Sequence, residues 1–270
     1  MFTHRYSAAV WLALYLALQA GANFINLPVR SPAAFIAVAL VSNALFIFLA
    51  LAINASLAYA VRAPVPSFVL FAIGAIGWGL SQKIDAKHDP GLVLDTAGEL
   101  YFAIAAGGLG ILVSTAIREP NILLPAAVFA AFADYFMVHY GTVHVALTHG
   151  PAGQKLINAM SAHVPRLHNH LPVLTVGMAD FVFLAFFFAC VFRFDLNFKA
   201  TFIALFILLT LSLFSVAVIG PIPALAPMAL GFVAVNFRRF KLSRSELQAM
   251  GTAGVIVLVL ALAFIFVGRK

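Results

Sequence analysis

Two aspartates lie inside stretches of sequence that are otherwise apolar, and their position suits them for chemistry. Asp134 lies in AAVFAAFADYFMVHY, and Asp180 lies in LPVLTVGMADFVFLAFFFAC. Each is about nine to thirteen residues from either end of its apolar run, which predicts a position near the middle of a membrane. A carboxylate at that depth costs roughly 2.5–3.5 kcal/mol on insertion scales. No Lys or Arg lies near either acid in its own span, so we expect the two acids to have a function.

The simplest arrangement for two such acids is that they face each other. Two close carboxyls in a low dielectric share a proton, because both cannot ionise together. One then acts as a general base that activates water, and the other protonates a carbonyl or a leaving group. This pattern favours the chemistry of an aspartic protease. Two other interpretations stay open: protonated acids that only bond neighbouring helices, and a proton relay in a transporter.

The composition places these acids in a membrane protein. The chain has 270 residues and a mass of 28.8 kDa, with 64% hydrophobic and 9% charged residues. A soluble domain carries roughly 25% charged residues, so an ordinary soluble globule and a disordered chain are excluded. Cys190 is the only cysteine, which excludes an intramolecular disulfide and a cysteine metal cluster. The sequence therefore predicts an all-α, polytopic bundle of transmembrane helices.

Uninterrupted apolar stretches predict about nine spans in one transmembrane domain, residues 1–270. We expect N-terminal helices in 1–120, the catalytic core in 121–236, and a basic loop with an extra span in 237–270. The predicted spans are 8–26, 33–61, 66–82, 98–117, 121–142, 171–192, 200–219, 221–236 and 250–268. Small residues four apart, in Ala75/Gly79 and Ala106/Gly110, predict close helix packing. The segment from Thr96 to Glu99 predicts a capping box at the start of the fourth span.

The basic residues lie at span ends, which indicates contact with lipid head groups rather than with nucleic acid. With nine spans, one side collects more of them than the other, and the positive-inside rule places that side in the cytoplasm. We expect a multi-pass protein, located in the cell membrane of a prokaryote. The richer side contains Arg5, Arg62, Arg118, Arg193, Lys199, Arg238, Arg239, Lys241 and Arg244.

A proline-rich segment opens the eighth predicted span. Gly220 to Pro227 contains three prolines, and each one removes a backbone donor from the segment. Irregular backbone inside a membrane is tolerated where it is buried or lines a wet cavity. The segment is therefore expected to border a polar cavity.

These features together resemble the GxGD intramembrane aspartyl proteases, the presenilin and signal peptide peptidase group. The order is Ala133-Asp134, then Gly177-Met178-Ala179-Asp180, then Pro223-Ala224-Leu225, over about residues 122 to 236. Ala133 stands where the family has Tyr, and Ala179 stands where it has the second Gly. The resemblance implies a presenilin-like core and an Asp134/Asp180 catalytic dyad that cuts transmembrane helical substrates. It implies substrate-binding roles for Gly177, Ala179, Pro223, Ala224 and Leu225.

Histidines cluster in one long loop and allow another chemistry. Six of the eight lie between His139 and His170. Zinc needs three or four converging ligands, which a loop could supply. No other cofactor is expected. The loop could instead gate a metal transporter, serve a zinc-dependent membrane hydrolase, or be a polar, pH-sensitive segment. The candidate ligands are His144, His149, His163, His168 and His170.

Overall fold

The computed structural model describes most of the chain. The described residues are 7–22, 24, 31–85, 91–139, 153, 160–165, 175–219, 223–241, 243, 244, 248, 251, 252, 254, 255 and 259. Most of the ninth predicted span, 250–268, therefore lies outside the described residues.

The described part of the chain forms an all-α bundle with one small pair of strands. Apolar residues fill the helices, while Ser31 caps the second one by accepting the Ala34 N–H at 3.2 Å. The helices are α1 (Ser7–Ala22), α2 (Pro32–Ala60), α3 (Pro64–Asp85), α4 (Gly91–Ser114), α5 (Leu123–His139), α6 (Met178–Arg193), α7 (Phe198–Ile219) and α8 (Leu225–Asn236). Short 3₁₀ turns lie at Pro120–Ile122 and Phe237–Arg239.

Within the described residues, five helices are long and apolar enough to cross a membrane, so the structure indicates a membrane protein. The prediction of about nine spans is not confirmed in the described residues. In particular, α1 and α6 have 16 residues each and α8 has 12, where a straight span needs about 20. The five apolar segments are Ala33–Ala60, Pro64–Lys83, Thr96–Ser114, Pro120–Val138 and Phe198–Ser215.

Helix α6 forms the centre of the bundle. It packs against α2 and α4 along most of its length and also contacts α7 and α8. Nine of its residues are buried, and Phe181, Phe187 and Phe188 are fully enclosed. Aromatic contacts connect it outward: Phe187 stacks on Phe232 of α8 with ring centroids 4.5 Å apart. Because α6 carries Asp180 in its first turn, this packing determines where that carboxyl lies.

Glycines without room for a side chain bring three helices together. A Cβ on Gly74 of α3 would come within 2.3 Å of the Ala105 backbone, and one on Gly108 of α4 within 2.5 Å of the Phe71 backbone. A Cβ on Gly110 would lie 2.1 Å from the Val182 carbonyl oxygen of α6. The prediction of close packing is wrong for Gly79, since a Cβ added there would have no atom within 4 Å.

Basic residues gather at one end of the bundle. The Arg193 guanidinium at the end of α6 donates to the Ser114 carbonyl at the end of α4, at 3.0 Å. Asn121, just before α5, exchanges two bonds with the Lys241 backbone at 2.9 and 3.0 Å. Several exposed cations of the richer side lie at or next to the helix ends on this side. They are Arg62, Arg118, Arg193, Lys199, Arg238, Arg239 and Lys241.

The opposite end contains the strand pair β1 (Ser161–His163) and β2 (Thr175–Gly177). The strands are antiparallel, with Ala162 opposite Val176 and His163 opposite Thr175. The Met178 N–H donates to the Met160 carbonyl at 3.0 Å and extends the ladder to the start of α6. The predicted span 171–192 is therefore shorter than expected, because its first described residues form a strand.

Candidate functional site

The site around Asp134 is formed by α5 and the start of α8. Asp134 is the twelfth residue of α5, and the Asp134 Oδ2 atom accepts the Leu225 backbone N–H at 2.9 Å. Leu225 is the first residue of α8, so its N–H is one of the amides that a helix leaves without an internal partner. The carboxyl therefore caps α8 from a neighbouring helix, where the helix dipole favours negative charge.

The segment before α8 positions that amide. Pro223 and Leu225 are buried, and Ala224 is partly buried with φ −76° and ψ −23°. The Ala224 carbonyl accepts the Met228 N–H at 3.2 Å and so begins the helix. The Pro-Ala-Leu sequence therefore does not continue from α7 as an unbroken apolar helix. Instead, this sequence begins α8, and the Leu225 N–H at the start of that helix donates to Asp134.

Asp180 lies in the first turn of α6, which corrects its expected place in the middle of a span. The helix begins at Met178, and the Asp180 Oδ2 atom accepts the Gly177 backbone N–H at 3.1 Å. Gly177 has a φ of −66°, so its backbone does not need glycine. A Cβ there would lie 3.5 Å from Asp180 Oδ2, which is an ordinary contact. Ala179 is exposed, so its methyl group needs no space inside the bundle.

The structure places the carboxyls of Asp134 and Asp180 within electrostatic range of each other. Asp134 lies eleven residues from the start of α5 at the basic end of the bundle, and Asp180 lies thirteen residues before Arg193 at the same end. At 1.5 Å per residue these separations are roughly 16 and 20 Å, so both acids lie at a similar depth.

Each carboxyl thus contacts the N-terminus of a helix, α8 for Asp134 and α6 for Asp180. Both acids are partly buried. Two carboxyls within electrostatic range of each other in a low dielectric carry one charge between them more readily than two. The arrangement can therefore present one acceptor and one donor to a reactant placed between the helices.

Of the five histidines predicted as zinc ligands, His163 alone lies in the described part of the chain. His163 lies in β1, and the Glu99 carboxylate accepts from His163 Nδ1 at 2.6 Å. Among the residues that the structure describes, no group of three or more His, Cys, Asp or Glu side chains could hold a metal ion. The other candidate zinc ligands, His144, His149, His168 and His170, lie outside the described residues.

Glu99 itself is not the helix cap that the sequence predicts. Helix α4 begins at Gly91, so Glu99 lies two turns inside it. Its Oε2 atom accepts the Tyr15 hydroxyl at 3.4 Å, and Gln19 donates to that same hydroxyl at 3.1 Å. Sequence reasoning missed this polar cluster. The available signal was the spacing of Tyr15 and Gln19, four residues apart on an apolar helix, where polar groups need partners.

No known family model matches the chain, and no curated protein or solved structure shows a significant match to it.

Proposed function

We propose that this chain is an intramembrane aspartyl protease of the GxGD type, with a presenilin-like core in a multi-pass protein of the cell membrane. Its substrates are transmembrane segments of other proteins, which reach it through the surrounding lipid. The carrying observation is the bond from the Leu225 N–H to Asp134, with Asp180 within electrostatic range. That contact joins the Pro-Ala-Leu motif to one acid of the dyad and supports the resemblance at its functional residues.

The reaction needs one ionised and one protonated carboxyl. The ionised carboxyl removes a proton from water as the water oxygen attacks the substrate carbonyl carbon. The protonated carboxyl donates its proton to the carbonyl oxygen, giving a neutral tetrahedral intermediate. When the C–N bond breaks, the amine leaves with a proton from the first carboxyl, and the second carboxyl recovers its proton from the collapsing hydroxyl. The dyad thus returns to its starting state.

An extended substrate fits this site better than an intact helix. A helical substrate keeps its carbonyls bonded to its own amides, so the bond to be cut must first unwind. Pro223 contributes no N–H, and Leu225 uses its N–H on Asp134. We propose that Pro223, Ala224 and Leu225 shape one wall of the site, while Gly177 and Ala179 lie at the other side beside Asp180. The backbone carbonyl oxygens of an unwound substrate can then contact the reacting carboxyls.

The test is cleavage of reconstituted transmembrane peptides by the purified chain, with Asp134→Asn and Asp180→Asn compared to wild type. Each variant should lose at least about a hundredfold in rate, because general acid–base catalysis contributes 10²–10⁴-fold. A hydroxyl isostere of the tetrahedral intermediate should bind wild type and fail to bind either variant. Asp195→Asn is the matched control, since Asp195 is exposed and its φ of 49° suits Asn.

Three results would contradict the proposal. Cleavage that persists in both dyad variants would show that other groups do the chemistry. Proton-coupled uptake by proteoliposomes, lost in both variants while no peptide is cut, would identify the acids as a transport relay. Chelator-sensitive hydrolysis would point instead to zinc bound by the histidines.

A further inference from the structure

A polar clamp holds strand β1 at the end of the bundle where Asp180 lies. The Glu99 Oε1 atom accepts two bonds from His163, one from the backbone N–H at 3.1 Å and one from Nδ1 at 2.6 Å. The Gln19 amide donates to the His163 carbonyl at 2.9 Å. Both backbone polar groups of His163 are therefore bonded to side chains from α4 and α1. Gln19 is 8% exposed and the Glu99 side chain is 14% exposed, while the His163 side chain is 42% exposed, so the clamp lies at the rim of the bundle.

The ladder pattern explains why His163 is available for the clamp. In an antiparallel pair, opposite residues alternate between exchanging backbone bonds and facing away from each other. The Met178–Met160 bond fixes the alternation, because it makes Ala162 and Val176 the next bonded pair. His163 then directs its backbone N–H and C=O away from β2, toward Glu99 and Gln19.

The same alternation applies at Gly177 on the other strand. Gly177 lies opposite Ser161, two positions before the His163 pair, so its backbone N–H points away from β1. That N–H donates to Asp180 at 3.1 Å. One edge of the strand pair is thus held by α4 and α1, and the other edge contacts the carboxyl of Asp180.

We propose that Glu99 is a positioning residue for Asp180, which acts through His163 and the β1–β2 pair. This inference rests on the proposed function, because it assigns Glu99 a role in orienting one acid of the dyad. Glu99 does not touch the reacting atoms. It holds β1, β1 holds β2, and β2 presents the Gly177 amide that sets the direction of the Asp180 carboxyl.

The clamp can be measured without any enzymatic activity. Ala162→Cys places a thiol at a residue of β1 that is 0% exposed, and Cys190 of α6, also 0% exposed, stays as an internal reference. In full-length protein, a small maleimide labels each thiol in proportion to the population of its open form. Adding Glu99→Ala should raise labelling of the introduced thiol about tenfold or more, because charge-assisted bonds are lost. Labelling of Cys190 should not change.

Two further variants calibrate the labelling rate of the thiol at position 162. Glu99→Gln keeps a carbonyl oxygen for the His163 N–H but loses the charge, so its labelling rate should lie between those of wild type and Glu99→Ala. Glu119→Ala is the matched control, because Glu119 is exposed at the basic end and makes no side-chain cap bond. Its labelling should equal that of wild type.

The link to catalysis is tested by rescue. Ala162 and Val176 are a bonded pair, whose Cα atoms are about 5.5 Å apart in such a ladder, within the range for a disulfide. In Glu99→Ala, kcat for peptide cleavage should fall while KM changes little. Oxidation of the Ala162→Cys/Val176→Cys pair in that background should restore kcat, and reduction should remove it again.

The outcomes separate three kinds of failure. Unchanged labelling of the thiol at position 162 in Glu99→Ala overturns the clamp and leaves the dyad untouched. Increased labelling with unchanged kcat, or with no rescue by the disulfide, overturns the positioning role. If no variant cuts any peptide, the proposed function fails and the positioning role falls with it, whatever the labelling shows.

Discussion

Gly110 offers a sharp test of how the bundle places Asp180. A Cβ at this position would lie 2.1 Å from the Val182 carbonyl oxygen, 2.8 Å from the Ala185 Cβ and 3.0 Å from the Phe186 nitrogen. The first and third of these atoms belong to the α6 backbone and cannot rotate away. To accept Gly110→Ala, α6 must move from α4 by roughly 1 Å or more, since interiors are close-packed.

Two opposed effects determine how Gly110→Ala changes the free energy of unfolding. Ala in a helix interior is more favourable than Gly by about 0.5–1 kcal/mol. Overpacking a well-packed interface costs typically about 1–3 kcal/mol, and the shortest contact here is with backbone. We therefore expect Gly110→Ala to destabilise the protein by about 1–2 kcal/mol. The shift also moves Asp180, two residues before Val182, so cleavage should fall even in the molecules that remain folded.

Equilibrium unfolding in mixed detergent micelles measures this change. Gly79→Ala is the matched control, because it makes the same substitution in a transmembrane helix with no atom within 4 Å. It should be neutral or slightly stabilising. Ala185→Gly, combined with Gly110→Ala, removes one of the three contacts but not the one with the Val182 oxygen. The double variant should therefore recover only part of the loss.

A Gly110→Ala protein as stable as Gly79→Ala would refute the reasoning. It would mean that α4 and α6 are not in backbone contact at Gly110. Full recovery in the double variant would show that the side chain of Ala185, and not the backbone of α6, limits the approach.

Three further changes probe other parts of the bundle. Asn236→Ala should cost about 2–3 kcal/mol in the same unfolding assay, because the 1%-exposed Asn236 accepts the Asn197 N–H at 3.0 Å and its loss leaves a donor without a partner. Asn121→Ala, which removes exposed bonds, should cost less than about 1 kcal/mol, and an equal loss in both would contradict this. Gly177→Ala should leave both unfolding and kcat nearly unchanged, since a φ of −66° suits alanine and the added methyl group would make only an ordinary 3.5 Å contact with Asp180 Oδ2; a large fall in kcat would show that the substrate needs the space beside Gly177.

Hydropathy alone predicted much of the helical framework. The long helices α2, α3, α4, α5 and α7 follow the predicted apolar runs closely, because burial in lipid requires uninterrupted apolar sequence. Hydropathy failed at α6 and α8, where apolar residues also occur in strand and in irregular backbone. An apolar residue such as Val176 suits a strand as well as a helix, so the pattern could not show where α6 begins.

The candidate site was less accessible to sequence reasoning. The isolation of Asp134 and Asp180 among apolar residues marked them, but nothing in their own spans shows that both contact helix N-termini. The contact between Leu225 and Asp134 joins residues 91 positions apart, and only a resemblance to known motifs suggested it. Glu99 was misread because its local sequence fits a cap, while its actual partner His163 is 64 positions away.

Because α6 lies at the centre of the bundle, the order in which the helices are synthesised affects how the bundle assembles. A ribosome delivers α1 to α5 to the membrane before α6 exists, since domains are made from the N-terminus. During that interval the faces of α2 and α4 that later cover α6, including the groove at Gly110, are open to lipid. Helices α3 and α4 can already associate, because Gly74 and Gly108 lie within the completed part. The insertion of α6 therefore fills the groove between α2 and α4 before α7 and α8 are made, and the same step brings Asp180 to the depth of Asp134.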